Sequence, residues 1–203
     1  MSELIAVTNR HLCCGDFLAR IEALAAARPR AILLREKDLP EREYRALAEQ
    51  ALCICTAHRT RCILHSFADT AAALNAEALH LPLPVLRKLS AAKRARFSVL
   101  GASCHSVEDA QEAETLGCTY LTAGHIFATD CKRGLPGRGL EFLRAVCTAV
   151  SIPVYAIGGM APENFAAVRQ AGAAGACAMS SAMQCRDPAA YFAAFEETDY
   201  EIL

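Results

Sequence analysis

VYAIGGM (residues 154–160) and ACAMSS (residues 176–181) are the stretches whose reading decides the fold. Each is a short apolar run that stops abruptly at small residues. A strand alternates its side chains between two faces, so a run that is apolar at every position belongs to a parallel sheet covered on both sides. Between the two runs, Pro162 suits a first helical turn, Glu163 to Ala171 has helical spacing, and Gly172 supplies a stop. The segment therefore reads as strand, helix, strand. Both strand ends also carry chemistry: Gly158 and Gly159 let backbone approach a ligand closely, and Met179-Ser180 opens a helix whose N-terminal amides attract an anion.

Working outward, the same unit recurs along the chain. Strands are predicted at Leu4 to Val7, Ala31 to Arg35, Arg61 to Leu64, Ala78 to Leu81, Ser98 to Ala102, Tyr120 to Ala123, Val154 to Ile157 and Ala176 to Met179. Helices are predicted at Phe17 to Ala27, Glu41 to Ala57, Val107 to Leu116, Leu140 to Val150 and Glu163 to Ala171. Ser106 with Asp109 three residues on approaches a capping box, and Gly117 ends that helix. The fourth unit is the weakest, because Pro82 and Pro84 crowd its helix start. Repeated βα units predict an α/β fold, a single (β/α)8 TIM barrel over residues 1–203. An open doubly wound sheet is the alternative, but the glycine fingerprint of a dinucleotide fold is missing after the first strand. In a barrel, chemistry gathers at the C-terminal strand ends.

The 203 residues suit one domain. With 21 basic and 22 acidic side chains, net −1, no global field favours nucleic acid or an anionic membrane, so a small-molecule partner is expected. The start lacks a cationic flank followed by an apolar run, and no stretch is long and apolar enough to span a bilayer, which predicts a cytoplasmic protein. Eleven cysteines are an odd number without a C-x-x-C pair. Cys13/Cys14 and Cys53/Cys55 are too close together for zinc-knuckle geometry, so reduced thiols and no metal are expected.

Arg35 and Lys37, two apart in LLREKD (residues 33–38), can share one face at the barrel mouth and neutralise a carboxylate or a second phosphate; the run also fits a solvated loop start. The polar loop 124–139 has the length of a lid or binding loop. His125 leads it and suits proton transfer near neutral pH, or else an imidazole tied to a backbone carbonyl. Lys132 and Arg133 either clamp an anion or solvate the loop. Ser103 ends the fifth strand and either lines the pocket or caps a helix. His65 follows the third strand, and His80 reads as a satisfied core histidine.

The stretches LLREKD, LGASCHSVEDA, GHIFATDCKRGLPGRGL and IPVYAIGGM, in that order, resemble the thiamine phosphate synthase/TenI superfamily across nearly the whole chain. The resemblance implies a (β/α)8 barrel and a thiazole phosphate held by the last two strand loops. It also implies a choice between activities. The synthase joins hydroxymethylpyrimidine diphosphate to thiazole phosphate and uses Mg²⁺ held by carboxylates. Its third strand ends Asn-Asp where this chain has His65-Ser66, its second acidic ligand falls at Pro82-Leu83-Pro84, and its strand-two glutamine is Leu33. The GHIFATDCK lid is more similar to the TenI branch. These departures lead to the expectation of an isomerase, a thiazole tautomerase without a cofactor. Its catalytic residue would be His125, with Arg35, Lys37, Ser103 and Lys132 binding substrate and Gly158, Gly159, Met179 and Ser180 the phosphate. The alternatives are the synthase and a non-catalytic thiazole or thiamine phosphate-binding protein. A homo-oligomer, dimer or tetramer, is a further implication.

Overall fold

In a computed structural model the chain is described over residues 3–129 and 134–200. Eight parallel strands close into a barrel in sequence order: β1 Leu4–Val7, β2 Ala31–Leu34, β3 Cys62–His65, β4 Ala78–Pro82, β5 Val99–Cys104, β6 Tyr120–Gly124, β7 Val154–Ile157 and β8 Gly175–Ala178. Closure is through β1 and β8, with Ile5 opposite Cys177 and Ala6 opposite Ala178. The predicted TIM barrel is the observed one.

The two apolar faces of each strand have different destinations. Ile5, Val7, Ala31, Leu33, Ile63, Ala78, Tyr120, Tyr155 and Cys177 form one cluster, which fills the barrel interior. Their neighbours Leu4, Ala6, Ile32, Leu34, Leu64, Leu79, Leu121 and Ala156 belong to the larger cluster between barrel and helices. Alternation by two therefore builds two concentric cores from one run of apolar residues.

The outer ring comprises α1 Phe17–Ala26, α2 Glu41–Ala57, α3 Ala68–Ala73, α4 Leu83–Leu86, α5 Ala91–Arg94, α6 Val107–Thr115, α7 Gly139–Ala149, α8 Pro162–Gln170, α9 Ser180–Gln184 and α10 Pro188–Tyr200. Ser106 caps α6 by accepting from the Asp109 amide at 3.1 Å, and the Asp109 carboxylate accepts in return from the His105 amide at 2.9 Å. Pro82 proves to be the last residue of β4, and the two prolines leave room for only the single turn of α4. The C-terminal α10 packs on α8 through Phe195, edge-on to Phe165 with centroids 5.3 Å apart. Among the described residues no helix is long and apolar enough to cross a membrane.

Candidate active site

A cavity of about 400 Å³ opens at the carboxyl ends of the strands. On one side lies the β7 loop. Gly158 and Gly159 both have positive φ, +99° and +66°, where a Cβ is strained. They are also tight against the β6 loop: a Cβ on Gly158 would lie 2.4 Å from His125 Cβ, and one on Gly159 would lie 2.6 Å from the Ala128 carbonyl oxygen. The loops are then joined by backbone bonds, with Ile126 and Phe127 amides donating to the Ile157 and Gly158 carbonyls at 2.9 and 3.1 Å. Asn164 secures the turn to α8: its amide group donates to the Gly159 carbonyl at 2.8 Å and accepts from the Ala161 amide at 3.1 Å. Beside this turn, Met179 caps α9, and Ser180 and Ser181 line the cavity at the helix start.

The opposite rim is cationic. Arg35 and Lys37 line the cavity while Glu36, between them, turns away and is buried. Its carboxylate accepts from Thr8 Oγ1 at 2.7 Å and from the Arg10 amide at 3.0 Å, and Thr8 Oγ1 accepts from the Arg35 amide at 2.9 Å. Asp38 turns outward to Arg10 and His11, at 2.6 and 2.8 Å. The REKD run, in the turn just beyond β2, is thus sorted, cations to the cavity and carboxylates away from it. Arg35 Nη1 reaches 4.0 Å from Met179 Sδ, spanning toward the glycine side.

The wall between the rims is neutral. His65 and His80 stack with centroids 6.0 Å apart. His65 Nδ1 pairs with Ser66 Oγ at 2.7 Å, while His80 uses both nitrogens, Nδ1 with Tyr120 Oη and Nε2 with Ser103 Oγ, each at 2.9 Å. Burial pushes the His65 pKa down to about 2, with His80, Arg35 and Lys37 adding to the effect. Burial and then Arg35 push that of His80 down to about 3. Both rings are therefore neutral at ordinary pH.

His125 is buried at the cavity edge, its Nε2 lying 3.4 Å from the Leu135 carbonyl oxygen. The cavity thus gathers Arg35, Lys37, Ser103, His125, Gly158, Gly159, Met179 and Ser180. Lys132 lies outside the described residues. His80, read from sequence as satisfied core, is satisfied and also lines the cavity. Thr122 and His105 line it too and were missed. Thr122 had a usable signal, a single polar residue in the strand YLTAG that must find a partner.

The Mg²⁺ site implied by the superfamily does not fit this donor set. Among the described residues no carboxylate lines the cavity, and no three His, Cys, Asp or Glu side chains gather as a metal site. Glu36 is committed to Thr8 and Arg10, and His80 has no nitrogen to spare.

A family model described as thiamine monophosphate synthase, covering the synthases and TenI, matches residues 4–182. The chain belongs to this family. It is 34% identical over 206 residues to thiamine-phosphate synthase 2 of Streptococcus pneumoniae, covering 98% of this chain and 96% of that one. It is 40% identical over 167 residues to the thiamine-phosphate synthase of Moorella thermoacetica, covering 79% and 77%. Its fold matches a thiamine phosphate pyrophosphorylase from Pyrococcus furiosus with a TM-score of 0.83 and 27% identity, covering 98% and 96%. These relatives correct the expectation of a thiazole tautomerase. Similarity along the whole chain is to synthases, which are transferases, and the isomerase reading rested on one lid segment and a few rim residues.

Proposed function

We propose that this family member is a thiamine-phosphate synthase, joining hydroxymethylpyrimidine diphosphate to thiazole phosphate with release of diphosphate. The observation that carries the reading is the 34% identity to a thiamine-phosphate synthase over nearly the full length of both chains. The cavity supports it by offering two anion-binding ends, one for each substrate. The Gly158-Gly159 turn and the Met179-Ser180 helix start suit the thiazole phosphate, while Arg35 and Lys37 suit the diphosphate.

In this reaction the thiazole nitrogen forms a bond to the pyrimidine methylene carbon as the carbon–oxygen bond to diphosphate breaks, the electron pair leaving with the diphosphate. Arg35 and Lys37 meet the charge that builds on that oxygen. The remote phosphate holds the thiazole in place for attack. Forming the thiazolium releases no proton from the nitrogen, so His125 is assigned to positioning the substrate beneath the loop rather than to proton transfer. Since the donor set does not fit Mg²⁺, the protein's own cations carry the leaving group. Each described cysteine is a free thiol, which supports action in a reducing compartment such as the cytoplasm.

Expression in a bacterial strain lacking its own synthase tests the reading: growth without thiamine is expected, and loss of growth when Arg35 and Lys37 are both changed to Ala. Failure of the wild-type protein to support growth would count against it. The absence of a carboxylate from the rim among the described residues favours one other reading, a thiazole phosphate-binding protein without transferase activity, which would bind ligand and still fail this test.

A further inference from the structure

Behind the neutral wall lies a chain of hydrogen bonds whose direction can be worked out. Tyr120 is buried on β6, inside the barrel, and burial pushes its phenol pKa well above the ordinary value. It is therefore an un-ionised O–H group. Among the described residues the hydrogen-bond partner of that hydroxyl is His80 Nδ1, at 2.9 Å. A buried O–H left without an acceptor costs about 1–3 kcal/mol, so the phenol donates and Nδ1 accepts. A neutral imidazole that accepts at Nδ1 carries its hydrogen on Nε2. His80 Nε2–H then donates to Ser103 Oγ at 2.9 Å, and Thr122 Oγ1 donates to the same oxygen at a longer 3.4 Å.

Ser103 lines the cavity, and this arrangement fills the acceptor side of its hydroxyl from behind. We infer that Tyr120 is a positioning residue: by setting the His80 tautomer it makes Ser103 present its hydrogen to the ligand, which selects a heteroaromatic with an unprotonated ring nitrogen or a carbonyl or carboxyl oxygen at that wall. A ligand offering an amino or hydroxyl hydrogen there meets a second donor and is disfavoured.

Gly101 on β5 shows that the backbone is committed to this chain of bonds. A Cβ at that position would lie 2.2 Å from Tyr120 Cζ and 2.6 Å from His80 Nδ1, so the strand keeps a gap through which the phenol and imidazole meet. His65 cannot replace the phenol as the source of order, since its Nδ1 is engaged by Ser66 and it meets His80 through its ring face. The ligand side of the inference rests on the proposed synthase reading, whereas the tautomer side rests on the protein alone.

The two sides are tested separately. Nitrogen-15 NMR of histidine-labelled protein, with His80 assigned by its loss in His80→Gln, is expected to show Nε2 protonated and Nδ1 bare. Protonated Nδ1 in the wild type would overturn the inference without any variant or ligand. In Tyr120→Phe the ring loses its donor, and a mixture of both tautomers is expected; an unchanged spectrum would overturn the inference.

Calorimetry with thiamine phosphate, which carries both rings and one phosphate, reads the ligand side. Tyr120→Phe and Ser103→Ala should each weaken binding about threefold to tenfold, the scale of one neutral hydrogen bond. Together they should weaken it no further than Ser103→Ala alone. Additive losses would mean that Tyr120 acts only on packing and would refute its positioning role. Absence of binding by the wild type would refute the ligand side and the synthase reading, leaving the tautomer assignment to stand or fall by its spectrum.

Discussion

Lowering the pH from 7.5 to 5 should cost the fold about 4 kcal/mol, and the loss should come from His65 and His80. Both rings have folded-state pKa values pushed far below the ordinary 6.5, to about 2 and about 3, chiefly by burial. As the pH falls through 6.5 the unfolded chain takes up their protons and the folded chain does not. Stability is therefore full above about 6.5 and declines on acidification until the folded rings titrate. Each histidine contributes a slope of about 1.4 kcal/mol per pH unit, so the pair has lost roughly 4 kcal/mol by pH 5. That is a large part of a typical stability of about 5–15 kcal/mol. Urea unfolding followed by circular dichroism at half-unit pH steps measures the slope, and His65→Asn should halve it while leaving the window in place. A flat stability between pH 6.5 and 5, or a slope unchanged in His65→Asn, would refute the assignment of two buried neutral rings.

Changing Arg35 or Lys37 to Ala should lower kcat/KM for the diphosphate substrate about tenfold to a hundredfold, the scale of a hydrogen bond to a charged group, with little change in KM for thiazole phosphate. Steady-state kinetics with each substrate varied in turn checks this. Gly159→Ala places a Cβ 2.6 Å from the Ala128 carbonyl oxygen at a φ of +66°, and should cost about 1–3 kcal/mol in thermal or urea unfolding and raise KM for thiazole phosphate. Because no carboxylate among the described residues lines the cavity, the affinity for inorganic diphosphate in calorimetry should stay within about threefold between excess Mg²⁺ and a chelator. Much tighter binding with Mg²⁺ would show that the metal is held by groups not identified above.

The barrel was legible because each strand is apolar on both faces, and only burial on both sides makes that pattern stable. The one-turn helices α4 and α5 and the short α3 were not, since a segment of four to six residues is too short to display a helical period, whereas the start of α9 was legible at Met179-Ser180. Arg35 and Lys37 were found by their spacing of two, yet the role of Glu36 between them was not, because its partners Thr8 and Arg10 lie 28 and 26 residues away. His80 was half legible: it is satisfied, as read, but its partners Tyr120 and Ser103 stand 40 and 23 residues further along, and only closure of the barrel brings them to the cavity wall. The reaction was misread for a related reason. The lid segment around His125 was weighted above similarity spread over the entire chain, whereas which ligand sits against a lid depends on all the walls that face it.

The most direct measurement of the proposed activity is mass-spectrometric detection of thiamine phosphate after the purified protein is mixed with hydroxymethylpyrimidine diphosphate and thiazole phosphate. The account predicts that thiamine phosphate and inorganic diphosphate appear in equal amounts over many turnovers, and far more slowly with Arg35→Ala. Binding of thiazole phosphate with no thiamine phosphate formed, with or without Mg²⁺, would contradict it.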